Sequence, residues 1–135
     1  MSKQMYLNLP VKNLNDSIAF FTKLGFTFNP QFSNEESTCL VVGENIFVML
    51  LIESRFKEYT RKELANPQKT TEMIVSFDAE SREAVDKMIA LAIESGGDVY
   101  AEPVEHGWLY SRSFDDIDGH QWEVFYFDPS AMPAK

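Results

Sequence analysis

The chain has 135 residues, which is enough for one domain or for two small halves that need each other. Its 12 Lys and Arg against 21 Asp and Glu give a net charge of −9, which disfavours binding to a phosphate backbone. With 44% apolar and 24% charged residues, the composition excludes a disordered chain, collagen and a coiled coil. Cys39 is the single cysteine, so an internal disulfide and a cysteine-based zinc cage are also excluded.

The apolar segments of the sequence are short. The longest, residues 46–52, has the length of a strand, far below the roughly 20 residues that a membrane helix needs. Residues 1–4 lead into a short apolar stretch that does not resemble a signal peptide. We therefore expect a cytoplasmic protein with neither a membrane nor a nucleic acid as its partner.

The first half of the sequence predicts one strand, one helix and three further strands. Residues 5–11 are apolar and β-prone, and Asn13 is among several polar residues able to cap a helix over about residues 14–24. Gly25 stands where a helix commonly ends in a left-handed cap. Turn-like breaks then separate three extended segments, at residues 26–32, 38–42 and 46–52.

The second half repeats this order after a charged connector. Residues 70–77 predict a strand, and the apolar spacing from Val85 to Ile93 predicts a helix that ends at Gly96. Three more strands are predicted, at residues 98–101, 109–114 and 121–127.

The element order therefore predicts an internal βαβββ duplication within an α+β fold. A generic α+β domain without a repeat is the alternative. The expected boundaries are a first module at about residues 1–54, a connector at 55–69, a second module at about 70–128 and a frayed tail at 129–135.

Strand side chains alternate between two faces, which separates the apolar residues that cover a core from a mixed set. The mixed set contains four polar residues: Asn8, Glu72, Gln121 and Glu123. Its large apolar members include Tyr6, Phe47, Met49 and Phe125. Such a mixture is typical of a ligand pocket, whereas a solvent-exposed sheet face would not carry so many large apolar side chains.

Three further residues are candidates for the mouth of this pocket. Trp108, Tyr110 and Arg112 could bind an anionic or aromatic ligand there. An ion pair of Arg112 with Asp115 or Glu123 is the alternative. His120 is expected to be structural, on the same face as the core residues.

Two motifs carry a resemblance to a known superfamily. The segment Asp-Ile-Asp-Gly-His-Gln-Trp-Glu-Val at residues 116–124 resembles the closing motif of the vicinal-oxygen-chelate proteins, which include glyoxalase I, bleomycin-resistance proteins and extradiol dioxygenases. The opening at residues 8–14, followed by Leu24-Gly25-Phe26, is also similar to that superfamily. The resemblance implies a cup-shaped mixed half-barrel of two βαβββ modules, the glyoxalase/bleomycin-resistance/dihydroxybiphenyl-dioxygenase fold, commonly assembled as a homodimer.

The same resemblance implies where a metal would bind, namely on the first and last strands of each module. Carried over to this sequence, these positions are Glu123, Glu72, Asn8 and Met49, with Phe47 as an alternative to Met49. A methionine cannot bind a hard cation, and the remaining oxygen ligands suit Mg, Mn or Ca better than Ni or Fe. Zn is also among the metals that the resemblance leaves open. We therefore favour a site without a metal, and a divalent metal held by Glu123, Glu72 and Asn8 is the alternative.

The expected function is that of a glyoxalase-like protein, related to lactoylglutathione lyase, that binds a small organic molecule. As an enzyme it would catalyse proton transfer or isomerisation next to a carbonyl, with Glu123 or Glu72 as the base. The alternative is a metal-free protein of the bleomycin-resistance type that sequesters its ligand. A dioxygenase is disfavoured because non-haem iron sites need imidazole ligands, and neither histidine stands at a ligand position.

Overall fold

The structure, a computed structural model, describes residues 1–134 and divides them into two compact units. The first unit is Met1–Asn66, and the second begins at Pro67. Each unit contains one four-stranded sheet. Lys135, the end of the predicted tail, lies outside the described residues. Each helix in residues 1–134 is too short or too polar to cross a lipid bilayer.

The first unit has the predicted order of one strand, one helix and three strands, followed by a short helix. Its elements are β1 (Met5–Val11), α1 (Leu14–Lys23), β2 (Thr27–Asn29), β3 (Ser37–Gly43), β4 (Ile46–Ile52) and α2 (Glu53–Lys57). The strands lie in the order β1-β4-β3-β2, with β1 parallel to β4. Strand β2 is shorter than predicted because Pro30 begins a 3₁₀ turn, whose first residues are capped by the Asn29 side chain.

Local signals in the sequence fix helix α1 at both ends. Asn13 Oδ1 accepts a hydrogen bond from Asp16 N at 2.9 Å, which caps the first turn. Gly25 follows the last turn with φ +98°, a conformation that glycine adopts without strain. Between these ends, Phe20 and Phe21 are buried against the sheet with their rings edge to face at 4.9 Å.

The second unit repeats the architecture of the first. Its elements are β5 (Ile74–Asp78), α3 (Arg82–Glu94), β6 (Val104–Glu105), β7 (Leu109–Asp115) and β8 (Gln121–Phe127). The strand order β5-β8-β7-β6, with β5 parallel to β8, matches that of the first sheet. Helix α3 packs on β7 and β8 through its buried residues Val85, Ile89 and Ala92. The predicted α+β fold of two βαβββ modules is therefore confirmed.

Three sequence predictions for the second unit need correction. The strand predicted at residues 98–101 does not form: Asp98 makes only an isolated bridge with Asp115, and β6 begins after Pro103, which has no N–H to donate. Strand β5 begins at Ile74 rather than at residue 70, which leaves Glu72 in a bend before the sheet. In the predicted tail, Pro129–Ala131 form a 3₁₀ turn.

Candidate functional site

The register of the second sheet places a carboxylate between two serines. Glu123 on β8 is paired with Ser76 on β5 and with Ser113 on β7. Ser76 Oγ donates a hydrogen bond to Glu123 Oε1 at 3.3 Å. Because side chains at every second position share a face, this row defines one side of the sheet, which we call the Glu123 face. Its members are Ile74, Ser76, Asp78, Leu109, Ser111, Ser113, Asp115, Gln121, Glu123, Phe125 and Phe127.

Tyr100 reaches the Glu123 face from the segment between α3 and β6. Its Oη lies 3.5 Å from the carbonyl oxygen of Trp122, and its hydroxyl also hydrogen-bonds with the Ser113 side chain. Burial raises the pKa of Tyr100, the hydrogen bond with Ser113 lowers it, and the negative charges of Glu123 and Asp115 raise it. The hydroxyl is therefore protonated at neutral pH and acts as a hydrogen-bond donor on this face. Sequence reasoning missed Tyr100, because a tyrosine in an irregular segment carries no periodic signal.

Asp115 and Gln121 are paired on the same face, one step along the strands from Glu123. Burial raises the pKa of Asp115, while a hydrogen bond with Gln121 lowers it and the charge of Asp98 raises it. Among the described residues, Asp115 Oδ1 is a buried oxygen without a hydrogen-bond partner. Gln121, which the sequence proposed as a ligand-binding residue, thus lies in a partly buried polar row beside Glu123.

Tyr110 and Arg112 lie on the opposite, helix-covered face of the sheet. Tyr110 Oη donates to Asp86 Oδ1 on α3 at 2.5 Å, and Arg112 NH1 lies 3.1 Å from the same oxygen. These contacts lower the pKa of Asp86, the Tyr110 hydrogen bond contributing more than Arg112. Both residues alternate with Ser111 and Ser113 along β7 and therefore do not share the face of Glu123. That they bind a ligand at the mouth of a pocket stays a prediction.

A second charged contact joins α3 to the hairpin between β6 and β7. Arg82 binds both carboxylate oxygens of Glu105 and donates to the carbonyl oxygen of Gly107 at 3.2 Å. The Arg82 hydrogen bond is the main cause that lowers the pKa of Glu105 to about 2. This contact holds the hairpin that carries Trp108, whose ring packs edge to face against Phe127 at 5.9 Å. Trp108 therefore lies at the aromatic end of the Glu123 face.

The motif at residues 116–124 forms the turn that leads into Glu123. The buried carboxylate of Asp116 accepts hydrogen bonds from Asp118 N at 2.9 Å, His120 N at 3.0 Å and Trp122 Nε1 at 2.9 Å. Burial nevertheless raises its pKa to about 6. Gly119 has φ +95°, and a Cβ at that position would lie 2.8 Å from the carbonyl oxygen of Pro67. The turn itself thus explains Asp116 and Gly119 of the motif.

In the first unit, the sequence-proposed residues form an aromatic and apolar surface. Asn8 is paired with Met49, and Met49 is also paired with the buried Cys39. Two positions earlier on β1, Tyr6 stacks on Phe47 at 4.9 Å with an angle of 14° between the rings. Strands β1, β3 and β4 contribute no charged side chain to this face.

Strand pairing gives each of the predicted metal-ligand positions Asn8 and Glu123 a neighbour that is not a carboxylate. Ser76, not Glu72, is paired with Glu123, and Asn8 is paired with the thioether of Met49. Within residues 1–134, no group of three or more His, Cys, Asp or Glu side chains is arranged to hold a metal ion. The serine hydroxyls paired with Glu123 and the thioether paired with Asn8 are weaker ligands for hard cations than carboxylates are.

The fold is that of the glyoxalase/bleomycin-resistance/dioxygenase proteins, and solved structures show it. A hypothetical protein from S. aureus is 28% identical with a TM-score of 0.79, over 93% of this chain and 95% of that chain. A glyoxalase-related enzyme from Fulvimarina pelagi is 16% identical with a TM-score of 0.78, over 93% and 88% of the two chains. The fosfomycin resistance protein FosX from Listeria monocytogenes is 19% identical with a TM-score of 0.70, over 100% and 96%.

The sequence itself matches a family model over its first part. Residues 3–43 match the model described as bleomycin resistance protein-like N-terminal. No curated protein matches the chain. Together with the solved structures, this match confirms the resemblance to the vicinal-oxygen-chelate superfamily.

Proposed function

We propose that this protein binds a small organic molecule on the Glu123 face without the help of a metal, as a ligand-sequestering protein of the bleomycin-resistance type. The observation that carries this proposal is the composition of the face along β8. Glu123, with hydroxyl groups on both sides, is followed on the same face by Phe125 and Phe127. A few polar atoms beside an aromatic surface are the usual composition of a small-molecule site.

The comparisons support a small-molecule ligand. The matched family model is named for a bleomycin resistance protein, and the structure from Listeria monocytogenes is that of a fosfomycin resistance protein. The stacked rings of Tyr6 and Phe47 would supply further flat apolar surface for such a ligand. That both units line one cup, and that the protein is a homodimer, stay predictions.

The weak ligand set around Glu123 favours a metal-free site over a metal centre. The contrary prediction, that Glu123, Glu72 and Asn8 bind a divalent metal, is tested by titrating the purified protein with Ni²⁺, Mn²⁺, Mg²⁺ and Zn²⁺. We expect no stoichiometric binding, measured by elemental analysis after gel filtration. One metal per chain that is lost on Glu123→Gln would contradict the metal-free proposal.

A second candidate function is proton transfer next to a carbonyl, of the glyoxalase type. Glu123 is half-buried and has hydroxyl groups near its carboxylate, so it could take a proton while a hydroxyl donates to the developing oxyanion. Isomerisation of glutathione hemithioacetals to thioesters, followed by absorbance, tests this candidate directly. Loss of turnover in Glu123→Gln but not in Glu72→Gln would assign the base to Glu123.

Ligand binding is tested by thermal-shift screening with aromatic antibiotics, short organic acids and glutathione hemithioacetals, because a ligand that binds the native state raises Tm. We expect a compound that stabilises the wild-type protein to lose its effect on Glu123→Gln. Glu72→Gln is the matched control, since Glu72 is an exposed glutamate that precedes strand β5 and is not paired with Glu123. Stabilisation that persists in Glu123→Gln would place the ligand elsewhere and contradict the proposal.

A further inference from the structure

We propose that Tyr100 is a ligand-binding residue of the Glu123 face and that, together with Glu123, it selects a neutral aromatic amide over an anion of the same shape. This inference rests on the proposed function and adds to it one residue and a ligand chemistry.

Tyr100 is placed to give its proton to a ligand. Its hydroxyl donates to the carbonyl oxygen of Trp122 at 3.5 Å, which is the outer limit of a hydrogen bond. The contact with Ser113 holds the phenolic oxygen on the face that bears Glu123. A ligand oxygen nearby can therefore accept the Tyr100 hydroxyl at little cost to the protein's own hydrogen bonds.

Glu123 supplies the complementary group, because its carboxylate accepts hydrogen bonds and donates none. The Ser76 hydroxyl donates to Glu123 Oε1 at 3.3 Å, and the carboxylate can accept further hydrogen bonds. Tyr100 binds Ser113, which is paired with Glu123, so a donor and an acceptor lie on one face and match a group that carries N–H next to C=O. A carboxamide has this arrangement, with its N–H directed at Glu123 and its oxygen at Tyr100.

The apolar part of the ligand follows from the rest of β8. Phe125 is two residues beyond Glu123 on the same face, which corresponds to about 7 Å along a strand. Phe127 follows at the same spacing, and Trp108 packs against its ring at 5.9 Å. A ring attached to an amide held at Glu123 would meet Phe125 first, in the stacked or edge-to-face contacts that aromatic pairs prefer.

The charges of this face discriminate against anions. Every charged side chain that β5, β7 and β8 contribute to it is acidic, namely Asp78, Asp115 and Glu123. Arg112 of β7 lies on the opposite face, bound to Asp86 of α3. The negative charge of Glu123 would thus repel a carboxylate ligand. An amide of equal size would instead donate a hydrogen bond to Glu123.

The test is a ¹H–¹⁵N NMR titration of the full chain with benzamide and, separately, with benzoate at pH 7. We expect benzamide to shift the backbone signals of Ser76, Tyr100, Ser113 and Glu123, and benzoate to bind about tenfold more weakly. Tyr100→Phe should weaken benzamide binding about fivefold, the usual effect of one uncharged hydrogen bond. Glu123→Gln should reduce the difference in affinity between benzamide and benzoate, because it removes the negative charge that repels benzoate.

Tyr126→Phe is the matched control, because Tyr126 is paired with Tyr110 on the helix-covered face. The Tyr126→Phe variant should bind benzamide with the same affinity as the wild-type protein. Equal affinity of Tyr100→Phe and wild type for benzamide, or equal binding of benzamide and benzoate, would overturn the inference. So would the absence of shifts on the Glu123 face up to the solubility limit of benzamide. The proposed function fails separately, when stabilising compounds from the thermal-shift screen still act on Glu123→Gln.

Discussion

Trp122 donates its indole N–H to the buried carboxylate of Asp116 at 2.9 Å, six residues earlier in the chain. The same carboxylate receives two backbone N–H groups of the turn, from Asp118 and His120. Trp122 is fully buried beneath helix α3, and Glu123 is the next residue on the opposite face. One hydrogen-bonded acid therefore fixes the turn, the core tryptophan and the orientation of the candidate site.

Asp116→Asn should destabilise the protein although the two side chains are nearly isosteric. The Asn oxygen can accept the two backbone N–H groups, but its NH₂ group then faces the indole N–H of Trp122, donor against donor. A buried donor without an acceptor costs about 1–3 kcal/mol. The free energy of unfolding in urea measures this loss.

Asp128→Asn is the control for that substitution, because Asp128 caps an exposed turn by accepting from Ser130 N at 3.0 Å. Asn also caps such turns, so a change below about 0.5 kcal/mol is expected. Equal stability of Asp116→Asn and the wild-type protein would contradict the role given to the Trp122 hydrogen bond.

Gly119→Ala should be more costly than Gly107→Ala, although both glycines have positive φ, +95° and +76°. A Cβ at Gly119 would lie 2.8 Å from the carbonyl oxygen of Pro67, whereas within residues 1–134 a Cβ at Gly107 would have no atom within 4 Å outside its own chain neighbours. The backbone conformation alone costs about 1–2 kcal/mol at either site. Thermal unfolding of the two variants should therefore show the larger loss of Tm for Gly119→Ala, and the reverse order would refute the close approach.

The Arg82–Glu105 pair predicts a pH dependence of stability in the acid range. The pKa of Glu105 is lowered from the model-compound value of 4.5 to about 2 in the folded state, so the unfolded chain binds the proton more tightly. The stabilisation is present above pH 4.5 and is lost as the pH falls towards 2. The difference in Tm between the wild-type protein and Glu105→Gln should thus be constant above about pH 5 and shrink below it. A difference that does not change between pH 6 and 3 would contradict the pair.

Tyr110→Phe and Arg112→Gln should leave ligand binding on the Glu123 face unchanged. Both side chains bind Asp86 on the helix-covered side of the sheet, where half-exposed contacts contribute about 1 kcal/mol or less. Their effect should appear in the free energy of unfolding and not in the Tm shift caused by a bound compound. If either variant lost the Tm shift caused by a bound compound, Tyr110 or Arg112 would be part of the ligand site.

The limits of several strands could be predicted from the sequence, whereas the residue pairs between neighbouring strands could not. The limits of β1 at residues 5–11 and of β8 at 121–127 agree with the structure, because alternation and turn residues are local signals. The register of β5 against β8 depends on contacts between distant segments and was not predictable from the pattern. Glu72 was assigned to the strand because the start of β5 was predicted at residue 70 instead of Ile74. The structure pairs Ser76 with Glu123.

Candidate site residues were predicted where a periodic strand or the closing motif carried them. Glu123, Gln121 and Phe125 lie on one face, as their alternation on the last strand indicates. The ion-pair partner of Arg112 is Asp86 rather than the predicted Asp115 or Glu123, because a pairing with a distant helix leaves no local signal in the sequence. Tyr100 lies outside any regular element, so only the folded chain brings it to Ser113.

The contact of Gly119 with the Pro67 backbone bears on how this scaffold can be engineered. The segment that enters the second unit is packed directly under the turn that orients Glu123, so added residues near Pro67 would displace the carboxylate. The hairpin tip at Gly107 has open space on its side-chain side and lies at the aromatic end of the same face. Randomised loops grafted at that tip offer a route to new ligand selectivity with the carboxylate left in position.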